Sequence, residues 1–146
     1  MDDQLLALVR EATANSVMQS LANAGALHLG HLRDNLDMAP DEAIVCWDTE
    51  GFPGEPNSYR GYYDHLAFEP GAERITVGDF KRVIDERVMG KTFIGYKGGD
   101  YVMDHSVPVW CAEYGRANGR LLCGTKVVEN GKHTVFVLRT TEEGWM

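Results

Sequence analysis

Residues 76–90, Thr-Val-Gly-Asp-Phe-Lys-Arg-Val-Ile-Asp-Glu-Arg-Val-Met-Gly, carry the signals of one complete amphipathic helix. Thr76 is a good N-cap residue, because its hydroxyl can accept a hydrogen bond from an N–H group of the first turn. Asp79 places a negative charge in that turn, where the helix dipole favours it, and Gly90 ends the helix. The sequence therefore predicts a helix over 77–88, whose apolar residues on one side are Val77, Phe80, Val83, Ile84 and Val88.

The segments around this helix alternate short apolar runs with turn residues, as in an antiparallel sheet. Residues 50–59, rich in Gly and Pro, are predicted to form a loop. Hairpin turns are predicted at Asn118-Gly119 and at Asn130-Gly131. The expected fold class is α+β, with N-terminal helices and one central helix packed on an antiparallel sheet. The predicted strands cover residues 44–47, 62–68, 91–95, 107–114, 120–127 and 134–139.

The N-terminal region is predicted to be helical over 2–24, as one helix or as two short ones broken near Asn15, and again over 27–37. We interpret residues 1–24 as a helical extension that mediates self-association, because an amphipathic helix must bury its apolar face somewhere. Residues 25–146 are then a single α+β ligand-binding domain. The alternative is that the extension folds back onto its own sheet. The apolar residues at helical spacing in the extension are Leu5, Leu6, Val9, Ala12, Val17 and Leu21.

Composition is typical of a soluble globular protein. The 146 residues fit one domain, with 44% hydrophobic and 25% charged residues. No run approaches the ~20 apolar residues of a membrane helix, and the N-terminus lacks the pattern of a secretion signal. Cys46, Cys111 and Cys123 are odd in number and widely spaced, which predicts reduced thiols. We therefore expect a cytoplasmic protein that does not bind a membrane.

The negative charge is concentrated in the first part of the chain. Residues 1–55 carry ten acidic residues and only Arg10 and Arg33, so they account for the whole net charge of -8. Such a surface repels nucleic-acid backbones, so direct binding of DNA or RNA is not expected. One alternative function remains open on this basis: an acidic interaction protein that blocks a host factor through residues 1–55.

Residues 90–101, Gly-Lys-Thr-Phe-Ile-Gly-Tyr-Lys-Gly-Gly-Asp-Tyr, combine glycines, aromatic residues and lysines. Gly95, Gly98 and Gly99 allow positive φ and let a ligand approach the backbone. The amides of Gly98 and Gly99 could form an anion-binding nest. Aromatic rings offer flat faces on which a base can stack, and lysines offer charges for a phosphate. The plainer alternative is a hairpin corner whose aromatic residues turn into the core.

A second patch, Ser-Tyr-Arg-Gly-Tyr-Tyr at residues 58–63, repeats this combination with an arginine. Arg60 is predicted to contact a ligand phosphate or ribose, because a guanidinium can hold a phosphate by two hydrogen bonds. Two such patches in one small domain predict a site for a phosphorylated small molecule that contains a base. The predicted ligand-binding residues are Arg60, Tyr63, Lys91, Phe93, Tyr96, Lys97, Gly98, Gly99, Tyr101 and Arg116.

No catalytic residue, metal site or cofactor is predicted. A metal site could be built from His28, His31 and Asp34, which share a helix face. The preferred interpretation is that these residues form a polar helix edge. The available acid–base pairs are Asp64-His65 and Asp104-His105. Neighbouring residues in a strand point to opposite faces, so the two side chains of each pair would not meet in a strand. A nucleotide-processing enzyme, such as a phosphodiesterase that uses Asp104-His105, remains the alternative to a binding protein.

The order of these motifs resembles a group of small phage proteins, the Thoeris anti-defence sponges. The resemblance spans about residues 27–125, and the segments 58–63 and 90–101 are its specific parts. The helix 2–24 lies outside it. The further motifs that carry the resemblance are the strand ending in Trp47-Asp48, Leu66-Ala67-Phe68, the helix after Thr76, Pro108-Val109-Trp110 and Glu113-Tyr114-Gly115.

This resemblance implies a non-catalytic binding protein. Sponges of this family sequester cyclic ADP-ribose isomers that serve as immune signals in bacterial defence, and some also hold cyclic oligonucleotides at a separate site. The family also implies a homo-oligomer, typically a hexamer, in the cytoplasm of the host cell. The binding residues of the family are not transferred to this chain, so the site residues given above rest on their chemistry.

Overall fold

The computed structural model describes residues 27–49, 51–59, 65–95, 98–112 and 119–141. The helix predicted over 2–24 lies outside these residues. The second predicted helix, over 27–37, is confirmed as α1. In chain order the elements are α1 (Leu29–Leu36), β1 (Ile44–Trp47), β2 (Phe52–Ser58), β3 (Leu66–Gly71), β4 (Ile75–Thr76), α2 (Val77–Val83), the π-helix π1 (Ile84–Val88), β5 (Thr92–Ile94), β6 (Asp100–Val102), β7 (Val109–Cys111), β8 (Arg120–Asn130) and β9 (His133–Thr141).

A seven-stranded sheet with the strand order β2-β3-β7-β8-β9-β1-β4 forms the centre of the domain, and β5 and β6 form a separate two-stranded sheet. The pairs β1–β9 and β3–β7 are parallel, and the remaining pairs of the large sheet are antiparallel. The α+β fold class is thus confirmed. The sheet is mostly rather than purely antiparallel.

The helix predicted over 77–88 is present, with the predicted cap. Thr76 Oγ1 accepts a hydrogen bond from the backbone N–H of Asp79 (3.1 Å). The helix is α-helical only to Val83 and continues as the wider π1 turn, in which Met89 N donates to Ile84 O (2.7 Å). Gly90 follows with a φ of +74°, and its N–H donates to Met103 O (2.7 Å). This bond directs the chain straight into β5.

The loop predicted over 50–59 is wrong, because most of this segment is strand β2. The strand lies at the edge of the sheet, where a proline without an N–H group costs no ladder hydrogen bond. Its register against β3 shifts between Pro53 and Pro56, so the two prolines flank an irregularity in the pairing. Phe52 and both prolines are buried. The glycines and prolines of this segment therefore belong to an edge strand with an interrupted pairing, and not to a loop.

One of the two hairpin predictions also needs correction. Asn130 pairs with His133, so the two turn residues are Gly131 and Lys132, one position later than predicted. Gly131 has a φ of +58° at the first turn position, where a type II′ turn places glycine. In the other hairpin the described pairing ends with Cys111 opposite Arg120, so Gly119 directly precedes the paired part of β8, and Asn118 lies outside the described residues.

Side chains alternate between the two faces of the sheet, which together bury three apolar clusters. The helix face, covered by α1, α2 and π1, holds the largest cluster, in which Phe68 and Phe80 meet edge to face with ring centroids 5.1 Å apart. The second face buries Cys46 and Val137 in one cluster and Trp110 in another. Cys46 and Cys111 are buried thiols and Cys123 is a half-buried thiol, and burial raises the pKa of the Cys46 thiol to about 12.

Candidate functional site

The glycine-rich run at 90–101 forms a hairpin whose base is fixed to the core. Phe93 and Tyr101 are cross-strand partners, are half-buried, and pack against the cluster on the helix face. Met103 N donates to Lys91 O (3.0 Å), which closes the base of the hairpin. These two rings were predicted as stacking faces for a base. The rings of Phe93 and Tyr101 instead anchor the hairpin to the core, and only part of each contacts solvent.

The tip of the hairpin depends on its glycines. Gly98 and Gly99 have φ values of +90° and +88°, as their residue type allows, and both are exposed. Gly95 N donates to Gly99 O (3.0 Å), and Gly98 N donates to Gly95 O (2.9 Å). The amide of Gly98 is therefore engaged within the tip, which weakens the expectation that it contributes to an anion-binding nest. A Cβ at Gly98 would meet open space, so a ligand can approach the backbone there.

The remaining predicted ligand residues divide into two groups. Lys91 is described and exposed at the start of the hairpin. The others lie outside the described residues, so the structure does not place them relative to one another: Arg60, Tyr63, Tyr96, Lys97 and Arg116.

The described ends of the second patch lie on the other face of the sheet. Tyr59 stacks on Trp110 with ring centroids 4.4 Å apart, and Trp110 Nε1 donates to His65 Nδ1 (3.0 Å). Tyr59 N donates to His65 O (2.8 Å), and Gly119 N donates to the Tyr59 hydroxyl (2.7 Å). These contacts hold together both ends of segment 60–64 and one end of segment 113–118. Since Phe93 and Tyr101 pack on the helix face, the described parts of the two motifs do not meet in one pocket.

Sequence reasoning missed a charged groove of about 640 Å³. Arg33 on α1 hydrogen-bonds both Asp37 (2.7 Å) and, through two nitrogens, Asp85 on π1 (2.8 and 2.9 Å). Lys81 on α2 contacts Asp41 (2.7 Å) and, at 3.5 Å, Asp37. The pair Arg33–Asp37 is local, four residues apart, but no local pattern could reveal the contacts of Arg33 with Asp85 or of Lys81 with the carboxylates near α1, because these join segments far apart in the chain. The groove is lined by Arg33, Asp41, Glu42, Thr76, Gly78, Lys81, Arg82 and Asp85.

Electrostatics identify the groove as an ion-paired connection between helices. Hydrogen bonds from Arg33 lower the pKa values of Asp85 and Asp37, and the bond to Asp41 raises the pKa of Lys81. The lining of the groove contains three basic and three acidic side chains. Two further carboxylates, those of Asp37 and Asp79, take part in the ion pairs around the groove. Because the described cations already have carboxylate partners, a phosphate would have to displace them. The groove is therefore a poorer phosphate site than the hairpin.

The connection through Arg33 predicts a specific pH dependence. Because the folded-state pKa values of Asp37 and Asp85 lie below the ordinary value of 3.8, their contribution to stability is present above that pH. It is lost as the pH falls through the folded-state values. Urea unfolding from neutral pH downwards should show the stability difference between wild type and Arg33→Met shrinking below about pH 3.8. Arg74→Met, at an exposed position outside the groove, is the control, and a pH-independent difference at Arg33 would contradict the prediction.

The candidate catalytic and metal residues have local roles. The Asp104 carboxylate accepts hydrogen bonds from the Ser106 hydroxyl and amide, which lower the pKa of Asp104. His28 is the N-cap residue of α1, and its ring stacks on that of His31 with centroids 5.9 Å apart. Within the described ranges, no group of three His, Cys, Asp or Glu side chains could hold a metal ion.

No family model, curated protein or solved structure matches this chain. None of the helices in the described part of the chain is long and apolar enough to cross a membrane. The candidate site is therefore defined by geometry alone: an anchored hairpin with an exposed glycine tip and an exposed lysine at its base.

Proposed function

We propose that this protein is a non-catalytic binding protein that sequesters a cyclic-nucleotide immune signal. The ligand class is a cyclic ADP-ribose isomer, with cyclic oligonucleotides as a further possibility at a separate site. In this proposal the protein acts as a cytoplasmic homo-oligomer inside a bacterial host. The sequence resemblance to anti-defence sponges motivates the ligand class, and the hairpin supplies the contact surface.

One observation carries the proposal: Gly98 and Gly99 at the tip of the hairpin are exposed, while its base packs on the core and is closed by a backbone hydrogen bond. Gly98 places main chain at the surface with open space where a side chain would be, Gly99 lies beside the Tyr101 ring, and the sequence sets Lys97 next to Gly98. Phe93 and Tyr101 hold the strands below the tip against the core. A backbone surface fixed in advance lowers the ordering cost of binding, which is what a protein that sequesters a scarce signal requires.

The described acid–base groups favour binding over turnover. Asp104 is engaged by Ser106, and hydrogen bonding lowers its pKa, whereas a general acid needs a raised value. Cys46 is fully buried and has a pKa of about 12, so it is not an activated nucleophile. An enzyme that processes a nucleotide is therefore the second choice, and the fate of the ligand distinguishes the two.

The hairpin tip is tested by paired glycine variants. Gly98→Ala should weaken binding of a cyclic ADP-ribose isomer about tenfold by calorimetry, because alanine at a φ of +90° is strained by about 1–2 kcal/mol and distorts the tip. Gly131→Ala introduces alanine at positive φ in the β8–β9 turn and should leave affinity unchanged. Lys91→Ala should also weaken binding, with the exposed Lys132→Ala as its control.

Three outcomes would overturn this proposal. Wild-type protein could fail to bind any cyclic ADP-ribose isomer. The Gly98 and Gly131 variants could lose affinity equally. Alternatively, mass spectrometry after denaturation of the complex could recover a hydrolysed ligand in place of the intact one, which would identify an enzyme.

A further inference from the structure

The outer side of β8 has an unpaired strand edge. β7 pairs only with the first two residues of β8, and Leu27 N donates to Leu122 O (2.9 Å) just beyond them. Within the described part of the chain, the rest of β8 pairs on one side only, with β9. Val127 is 41% exposed, and Glu129 is exposed as well. We call residues 126–130 the β8 edge.

The hydrogen bonds of β9 show which backbone groups of β8 point outwards. Asp48 N donates to Leu138 O (2.9 Å), so the backbone groups of Leu138 point towards β1 and away from β8. Thr125, which lies opposite Leu138, is therefore in a non-hydrogen-bonded pair, and such pairs alternate along the ladder. Val127 and Glu129 thus direct their N–H and C=O groups away from β9. These groups have no hydrogen-bond partner among the described residues.

The two outermost strands of the sheet are protected against pairing with another chain, whereas the β8 edge is not. β2 contains Pro53 and Pro56 with an irregular register between them, and β4 has only two residues. The β8 edge has neither a proline nor a bulge, and it contains Val127 and Val128 in succession. Because β-branched residues favour strands, this edge is suited to pair with a further strand.

We propose that the β8 edge pairs antiparallel with the β8 edge of a second copy of this chain, about a twofold axis at Val128. In this register Val127 of each copy exchanges backbone hydrogen bonds with Glu129 of the other. Val128 meets its counterpart in the closer, non-hydrogen-bonded position. Val128 packs against the cluster that contains Cys46 and Val137, so the contact joins the apolar clusters of the two copies. This inference concerns self-association and is independent of the proposed ligand.

Charge selects this register over two of its neighbours. A twofold axis at Lys126 or at Glu129 would set like charges directly opposite each other, which destabilises a strand pair. An axis at Val128 instead sets Lys126 opposite Asn130 of the second copy. The β8 edge is therefore complementary to itself in this register, as a contact about a twofold axis requires.

The contact of Leu27 argues against the remaining register. An axis at Val127 would bring the turn that begins at Gly131 of the second copy alongside Leu122, where Leu27 already bonds. An axis at Val128 keeps that turn two residues further along β8. The second copy then pairs with the part of the edge that the described chain leaves open.

A disulfide tests the register. Val128→Cys should give a disulfide-linked dimer on oxidation in air, because the Cα atoms of a non-hydrogen-bonded pair lie about 4.5 Å apart, within the range of a disulfide. Lys126→Cys, on the same strand and face, is the control. Its counterpart lies about 13 Å away along the strands, so it should stay unlinked. Both variants are made in a Cys123→Ser chain, because the half-buried Cys123 thiol could compete, and non-reducing electrophoresis reads the result.

Sedimentation equilibrium of the full-length chain measures the strength of the contact. Val127→Pro should raise the dissociation constant at least about tenfold, because proline removes the outward N–H group and leaves the hydrogen bonds between β8 and β9 intact. Val102→Asp, at a valine 55% exposed on β6, should leave the constant unchanged.

Four outcomes would overturn the inference. Wild type could stay monomeric at about 100 µM. Val128→Cys could remain unlinked, or Lys126→Cys could link as readily. Val127→Pro could fold as wild type does and dimerise equally well. If the proline variant fails to fold, the two cysteine variants decide the question, since neither removes a backbone hydrogen bond.

Discussion

Replacement of Asp48 by alanine is expected to lower the free energy of unfolding by about 3–5 kcal/mol, because it removes two hydrogen bonds accepted by a fully buried carboxylate. The carboxylate of Asp48 accepts hydrogen bonds from the backbone N–H and the hydroxyl of Thr140, both at 2.7 Å. Arg120 Nε donates to the same hydroxyl (2.8 Å). Alanine removes both acceptors and leaves the buried N–H and hydroxyl of Thr140 without them.

Urea unfolding followed by circular dichroism measures this loss. Asp48→Asn keeps the shape and one acceptor, so its loss should be smaller than that of the alanine variant. Asp34→Ala, at an exposed position on α1, should change stability by no more than about 0.5 kcal/mol. A loss below about 1 kcal/mol for Asp48→Ala would mean that water or a rearranged side chain replaces the network.

Substitution of Gly119 by alanine is expected to cost about 3 kcal/mol through a direct clash. A Cβ at this position would lie 2.5 Å from the carbonyl oxygen of Cys111 and 3.3 Å from the ring of Tyr59. The carbonyl belongs to β7, and Tyr59 is stacked on Trp110, so neither atom can move cheaply. The clash should also disturb the hydrogen bond from Gly119 N to the Tyr59 hydroxyl.

Thermal and urea unfolding of Gly119→Ala and Gly78→Ala provide the comparison. At Gly78, in α2, the nearest atom to a new Cβ is Asp41 Cβ at 3.4 Å, an ordinary contact. Alanine there should leave stability unchanged or raise it by up to about 1 kcal/mol, because alanine favours a helix. Equal effects of the two substitutions would show that the approach to Cys111 is not tight.

The features that the sequence determined by itself are local. The helix at 77–88 followed from a cap, a charge and apolar residues that interact within one or two turns, and the structure confirms the cap at Thr76. The strand at 44–47 and the positive φ values of Gly98 and Gly99 are likewise properties of short segments, whereas Gly95, which could also have taken a positive φ, does not. The predicted fold class followed from counting such segments.

Tertiary structure alone decided which segments meet. Strand β1 lies parallel to β9, with Ile44 opposite Val135, and this pairing buries Asp48 beside a threonine 92 positions away. The proline-rich segment 52–58 forms a strand because it lies at the edge of the sheet. Glycine is required at position 119 because the backbone of Cys111 approaches closely there, and not because of a turn. Local propensities act over about four residues, whereas burial, edge position and ion pairing depend on neighbours that only the folded chain supplies.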